Sequence, residues 1–155
     1  MPSDKINKTV HIRNKSASYE YHFIEKFTCG VILQGTEVKS IRMNNANIND
    51  AYCIVHNGEL LIKNMHISKY NEGTYNNHEP LKDRKLLVKK KEIRKIEREL
   101  KDKGITVIPL SLFINDRGLI KIEIALAKGK KLHDKRESIK EKDLNRELQK
   151  KYKIS

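Results

Sequence analysis

The run Lys128-Gly129-Lys130-Lys131-Leu132-His133-Asp134-Lys135-Arg136 places five cations and one imidazole in nine residues. Ammonium and guanidinium groups at this density do one kind of chemistry well: they neutralise phosphates and release the counterions around them. The run follows a strand pattern and opens a basic segment, 128–155, that is too poor in apolar residues to bury itself. It is expected to be an arm that waits for a polyanion. A second basic stretch precedes it. Residues 82–103 and 128–155 each hold 11 Lys/Arg against 5 Asp/Glu, while the other 105 residues carry 11 basic and 10 acidic side chains. Within a formal net charge of +13, two concentrated basic segments on a near-neutral body form an electrostatic footprint for nucleic acid or, as the weaker alternative, an anionic membrane.

Other chemistries are poorly supplied. His11, His22, His56, His66, His78 and His133 show no His-x-x-x-His spacing, and no Gly-rich phosphate loop or Gly-x-Ser-x-Gly elbow appears. A ribonuclease-type trio of His66, His78 and Lys85 is the enzymatic alternative; the reading preferred is a protein that is not an enzyme, with no cofactor and no metal. Cys29 and Cys53 lie in strand-like runs without Cys-x-x-Cys spacing and read as buried thiols of a reducing compartment. Apolar runs such as Val31-Ile32-Leu33 and Leu60-Leu61-Ile62 are far too short to cross a bilayer, and no signal-peptide core occupies the first ten residues. A cytoplasmic protein without a membrane partner is expected.

The elements that must hold these groups can be read from periodicity. Tyr19, Tyr21, Phe23, Phe27, Cys29, Val31 and Leu33 share odd positions, the period of a strand with one buried face, and Glu25 on the apolar phase predicts a bulge or break. Gly35 ends that run, and Thr36–Arg42 reads as a helical turn with Thr36 as N-cap and Val38 and Ile41 inward. Asn57-Gly58 marks a hairpin within 51–67. Residues 68–81 read as a loop. Leu86, Ile93, Ile96 and Leu100 predict one helix over 82–102, closed by Gly104 as the C′ residue. A second hairpin follows, with Ile108, Leu110, Leu112 and Ile114 alternating, a loop at Asn115–Gly118, and Ile120, Ile122, Ile124 and Leu126 alternating again. The expected class is mainly β with helices: an OB-like antiparallel β-barrel over 1–127, with flanking helices and a basic tail over 128–155.

The chain resembles the small protein B (SmpB) family, the SsrA-binding proteins of bacterial trans-translation. The resemblance rests on Gly35-Thr-Glu-Val-Lys-Ser-Ile-Arg42, Asn64-Met-His-Ile-Ser68, Arg84-Lys-Leu-Leu-Val88, and the strand Ile120–Ala127 with Lys128–Arg136 after it. It runs from about residue 11 to 150. Tyr19, Lys69 and Lys82 depart from the usual pattern, standing where the family often has His, Pro and Arg.

The resemblance implies an OB-type barrel that binds the tRNA-like domain of tmRNA (SsrA RNA), the hybrid RNA that rescues stalled ribosomes. It also implies a monomer that meets the small ribosomal subunit and, indirectly, elongation factor Tu carrying alanyl-tmRNA. Glu37, Leu87 and Lys121 resemble family positions used for tmRNA binding. Glu37 would accept hydrogen bonds from a base edge or orient Lys39 and Arg42, with Ser40 beside them; alternatively it only supports the first helical turn. Leu87 alternatively packs a helix on the barrel, and Lys121 is alternatively a plain strand lysine. His66, Tyr70 and His78 are candidates to stack on unpaired bases. Arg84, Lys85, Lys128, Lys130 and Lys131 are candidate phosphate contacts. His133, Asp134, Lys135 and Arg136 are assigned to the decoding centre, with Gly129 as hinge. Residues 137–152, with Leu144, Leu148 and Tyr152 on one face, are expected to be disordered when free and helical in an empty mRNA channel. A generic ribosome-associated OB protein is the further alternative.

Overall fold

Alternation of apolar and polar residues at period two builds most of the molecule. The computed structural model describes residues 10–70, 77–131, 135–137 and 139–146. Nine strands and three helices follow in the order β1 (His11–Arg13), α1 (Ala17–Glu20), β2 (Tyr21–Val31), α2 (Gly35–Arg42), β3 (Ala46–Asn47), β4 (Tyr52–His56), β5 (Glu59–Lys63), β6 (His66–Ile67), β7 (Arg84–Leu87), α3 (Lys90–Glu99), β8 (Ile105–Ile114) and β9 (Ile120–Gly129) among the described residues. Residues 135–137 and 139–146 are also helical. The fold is mainly β, and every strand pairing is antiparallel. The main sheet runs β1-β8-β4-β5-β7-β2-β9, and β9 also pairs with β8. β3 and β6 form a small separate ladder.

The core lies on the inner face of this sheet. Phe27, Cys29, Cys53, Leu60, Ile62, Leu86, Val107, Leu112, Ile122, Ile124 and Leu126 meet there, with Ile41 from α2 and Ile96 from α3. Both cysteines are free and buried. Burial pushes the Cys29 thiol up to about 12, aided by the Glu92 charge and opposed by Lys121, and burial followed by the neighbouring Cys29 raises Cys53 well above the ordinary thiol value. Both thiols are therefore kept protonated and inert.

The first hairpin forms as its turn residues require. Asn57 and Gly58 take φ values of 51° and 75°, the left-handed pair of a type I′ turn. The expected bulge is present: the register of β2 on β9 shifts between Phe23 and Glu25. It changes which side of the sheet the strand's aromatics face. Tyr21 and Phe23 join a second cluster with Ala17, Ile108, Leu110 and Ala127, beneath α1, while Phe27 and Cys29 enter the main core. A matching shift between Pro109 and Ser111 in β8 reverses its phase too. Ile108 and Leu110 therefore do not share the core face with Leu112 and Ile114, as simple alternation over 108–114 implied. Pro109 lacks the N–H that a regular ladder needs, which favours a bulge there.

Three further sequence expectations are corrected. Residues 82–102 are not one helix. Arg84 and Leu86 point inward at period two as β7, held between β2 and β5, and the helix begins only after Lys89, whose ψ of 147° is extended. Open strand edges on both sides outweigh the helical propensity of the segment. α3 ends at Glu99, so Gly104 is not its C′ residue; its N–H donates to Asp102 Oδ1 at 3.0 Å in the following turn. Thr36 is not the N-cap of α2. Gln34 takes that place, because its N–H donates to the Glu37 carboxylate at N3 (2.9 Å) while the Thr36 hydroxyl engages His78.

Candidate nucleic-acid interface

The nominated residues separate into an interior group, an open row on the sheet, and the root of the tail. The interior group centres on Glu37, which is fully buried. Arg84, also buried, donates Nε to Glu37 Oε2. Its Nη1 donates to the Met65 carbonyl at 2.6 Å, and its Nη2 donates to the Glu79 and Pro80 carbonyls at 3.2 and 3.1 Å. Lys82 Nζ lies 3.5 Å from Glu37 Oε1. Burial by itself would raise the Glu37 pKa; the Gln34 N–H, the Arg84 guanidinium and Lys82 outweigh it and hold the carboxyl below its ordinary value. One guanidinium thus fastens α2, the approach to β6, the loop before β7 and β7 itself.

Several expectations change on this geometry. Arg84 does not reach phosphate, because the donors above point into the protein. Glu37 offers no oxygen to a base edge and does not orient Lys39 or Arg42; its two oxygens are taken by Gln34, Arg84 and Lys82. Ser40 is buried and donates to the Ser68 carbonyl at 2.6 Å. His78 is buried and is not a stacking ring: Nε2 donates to the Ile67 carbonyl at 2.8 Å, so Nδ1 accepts from Thr36 Oγ1 at 2.9 Å. With both ring nitrogens engaged, His78 cannot serve the ribonuclease trio. Among the described residues, no group of three His, Cys, Asp or Glu side chains converges to hold a metal.

On the surface near this group, Lys39 is exposed and its Nζ sits 5.3 Å from the centroid of the Tyr70 ring. Tyr70 is partly buried, and its backbone exchanges two hydrogen bonds with the Asn77 side chain. Arg42 is partly exposed, with its Nε buried and lacking a hydrogen-bond partner among the described residues. His66 is exposed on β6.

The open row crosses the outside of the main sheet. Gly30 in β2 lies opposite Leu87 in β7 and opposite Lys121 in β9. Lys121 lies opposite Phe113 in β8, and Phe113 opposite His11 in β1. Directly opposed residues of an antiparallel pair share one face, so Leu87, Gly30, Lys121, Phe113 and His11 form one line across five strands. The His11 and Phe113 rings meet edge-on at 6.2 Å. Leu87 is 50% exposed and does not pack a helix onto the sheet. A methyl at position 30 would come within 3.4 Å of Leu87 Cβ and 3.7 Å of Lys121 Nζ. Gly30 therefore leaves an open saddle between an apolar side chain and a cation. Lys85, on the same outer face of β7, is paired to Glu59 at 3.1 Å. Gly30, Phe113 and His11 escaped the sequence reading. Strand phase could have put each on an outer face, but no sequence signal gives the register that aligns them.

At the tail root, Lys130 N–H donates to the Glu20 carbonyl at 2.8 Å, and Lys135 Nζ lies 5.9 Å from the Tyr19 ring. Both contacts fix the start of the tail beside α1. Lys128 and Lys131 are exposed, as is Arg136 in the helical segment. His133 and Asp134 lie outside the described residues.

A mainly antiparallel β protein whose outer sheet face and tail present cations beside apolar and aromatic side chains has the surface of a polyanion-binding protein. The chain belongs to the SmpB family: residues 11–154 match the family model described as "SmpB protein". It is 57% identical to the SsrA-binding protein of Cytophaga hutchinsonii over 96% of this chain and 97% of that relative. It is 53% identical to the SsrA-binding protein of Phocaeicola vulgatus over 93% of this chain and 96% of the relative. A solved chain described as "tmRNA-SmpB: a journey to the center of the bacterial ribosome" superposes with a TM-score of 0.69 at 34% identity, covering 84% of this chain and 95% of that one. Among the described residues no helix is long and apolar enough to cross a membrane.

Proposed function

We propose that the protein binds the tRNA-like domain of tmRNA and carries it to stalled ribosomes for trans-translation, acting as a binding module and not as an enzyme. The observation that carries this reading is the row Leu87–Gly30–Lys121, an open apolar-cationic saddle in a member of the SsrA-binding family. Phosphate neutralisation by Lys121, Lys128, Lys130 and Lys131 supplies affinity, and shape with base contacts supplies selectivity for a folded RNA. The closing ladder β8-β4-β5-β7-β2-β9-β8 supports an OB-type barrel for residues 1–127. The protein stands in for the anticodon arm, and its tail, 128–155, reaches into the ribosome. His133 to Arg136 meet the decoding centre, and the segment beyond probes the vacant mRNA channel of the small subunit. Elongation factor Tu meets the complex through alanyl-tmRNA, and such a role belongs to a monomer in the cytoplasm.

Competition binding at physiological salt tests the reading. Labelled tmRNA should be retained against excess bulk tRNA and remain uncut. Equal displacement by bulk tRNA would leave only a generic ribosome-associated OB protein. Scrambling 137–152 should spare tmRNA affinity and abolish tagging of the nascent chain; tagging that survives would remove the channel-probing role.

A further inference from the structure

The next row of the outer face holds a carboxylate where phosphate chemistry alone calls for none. Arg13 lies opposite Ser111, Ser111 opposite Glu123, and Glu123 opposite Thr28. These residues share the face that carries Lys121, two positions along β9. With Phe23 and Lys26 of β2, Arg13, Ser111 and Glu123 line a concavity of about 370 Å³, room for one nucleotide. Its floor is fixed by the two register shifts, at Phe23/Glu25 and at Pro109/Ser111, which bring Phe23 to this side of the sheet. Lys26 Nζ sits 5.8 Å from the centroid of the Phe23 ring. Glu123 is only partly exposed. Among the described residues its carboxylate makes no hydrogen bond or ion pair, although Arg13 and Lys26 line the same hollow.

We propose that this concavity is a pocket for an unpaired guanine in a single-stranded or looped part of the bound RNA. An ionised carboxylate only accepts hydrogen bonds. Among the four bases, guanine alone offers two adjacent N–H donors, N1–H and N2–H, on its Watson–Crick edge. Adenine and cytosine each put a ring nitrogen acceptor beside their amino group, and uracil flanks its N3–H with two carbonyls, so each sets an acceptor against the carboxylate. Phe23 supplies a surface for the base plane, the Ser111 hydroxyl a second polar contact, and Arg13 and Lys26 the counter-charge for the flanking phosphates. The proposal rests on the RNA-binding reading above and names a base-reading subsite for it.

The test compares RNA pentamers UUGUU, UUIUU and UUAUU, with inosine as guanine lacking the 2-amino group. Fluorescence anisotropy of the full chain at fixed salt should give a preference for UUGUU over the other two of about fivefold or more, under one decade in affinity. Glu123→Gln should erase the preference, bringing the affinity for UUGUU level with that for UUIUU and UUAUU. Equal binding of the three pentamers by the unaltered chain would overturn the pocket, and so would a preference that survives Glu123→Gln. Because the guanine–inosine comparison needs no variant, a folding defect in Glu123→Gln does not obscure the outcome. If the unaltered chain fails to select tmRNA over bulk tRNA, the broader reading fails; if it selects tmRNA yet ignores the base in the pentamer, only the pocket does.

Discussion

The Glu37–Arg84 knot and the Leu87–Gly30–Lys121 row begin three residues apart on β7, yet they use charge in opposite ways. In the knot, a carboxylate and a guanidinium are both withdrawn from water and satisfy each other along with backbone carbonyls. In the row, a cation is left partly exposed beside a glycine and a half-exposed leucine. The same family motifs nominated residues in both. The difference teaches that a charged side chain within a family motif can serve the frame of the fold and not its surface. Glu37 belongs to the first kind, since its closure over Arg84 fixes where β7, and hence Leu87, lies.

Breaking the knot should cost the most. Arg84→Ala leaves Glu37 buried without its main counter-charge, and a loss of about 3–5 kcal/mol in unfolding free energy is expected, read by urea denaturation. Arg84→Met with Glu37→Leu removes both charges and should recover much of that loss; a double variant as unstable as the single one would show that the pair contributes through its backbone bonds instead. The molecules that remain folded should keep their RNA selectivity, which separates frame from contact.

Acid probes the same knot. The Glu37 pKa is depressed in the folded protein, so its contribution is fully present above its unfolded value near 4.5 and is lost as the pH falls below that toward the folded value. Thermal melts of the unaltered chain between pH 6 and pH 3 should therefore decline more steeply than those of the Arg84→Met/Glu37→Leu variant. Parallel declines would mean that other carboxylates set the acid limit.

Changes in the row should leave stability nearly untouched and act on affinity. Gly30→Val fills the saddle between Leu87 and Lys121, and about a tenfold loss in tmRNA affinity with an unchanged melting temperature is expected. Lys121→Ala should weaken binding several-fold and reduce the slope of log affinity against log salt by roughly 0.7–0.9, the value for one phosphate contact. An unchanged slope would assign Lys121 to a base or sugar. The smallest effect belongs to the tail root: Tyr19→Ala removes a cation–π contact worth about 0.5–1 kcal/mol at an exposed site. It should loosen the start of the tail, read as faster amide exchange at Lys135, with tmRNA affinity unchanged.

Charge density misled most where apolar residues interrupt it. Residues 82–103 and 128–155 carry the same complement of charges, but Leu86 and Ile96 sink into the core and take Arg84 with them. Among the described residues of the tail no apolar side chain does the same, and Ile139 and Leu144 remain exposed. Legible from the chain were the Asn57-Gly58 hairpin, the bulge at Glu25 and the existence of the second hairpin, though not the phase of Ile108 and Leu110 in it, since each follows from local conformational preference or from the alternation pattern and its interruption. The strand at Arg84–Leu87 was not legible, because four residues of mixed polarity become a strand only when two edges receive them.

What the sequence determined by itself was the class of partner and the family: lysine density dictates a polyanion, and motif order along the chain dictates kinship. Which cations stay in water was decided by tertiary structure alone. Burying Arg84 depends on Glu37, 47 residues away, and aligning Leu87, Gly30, Lys121, Phe113 and His11 depends on register across five strands. Side-chain direction in a strand reverses with a one-residue slip. The bulges that set each slip are fixed by strand partners distant in the sequence, so the row exists only once those strands have paired.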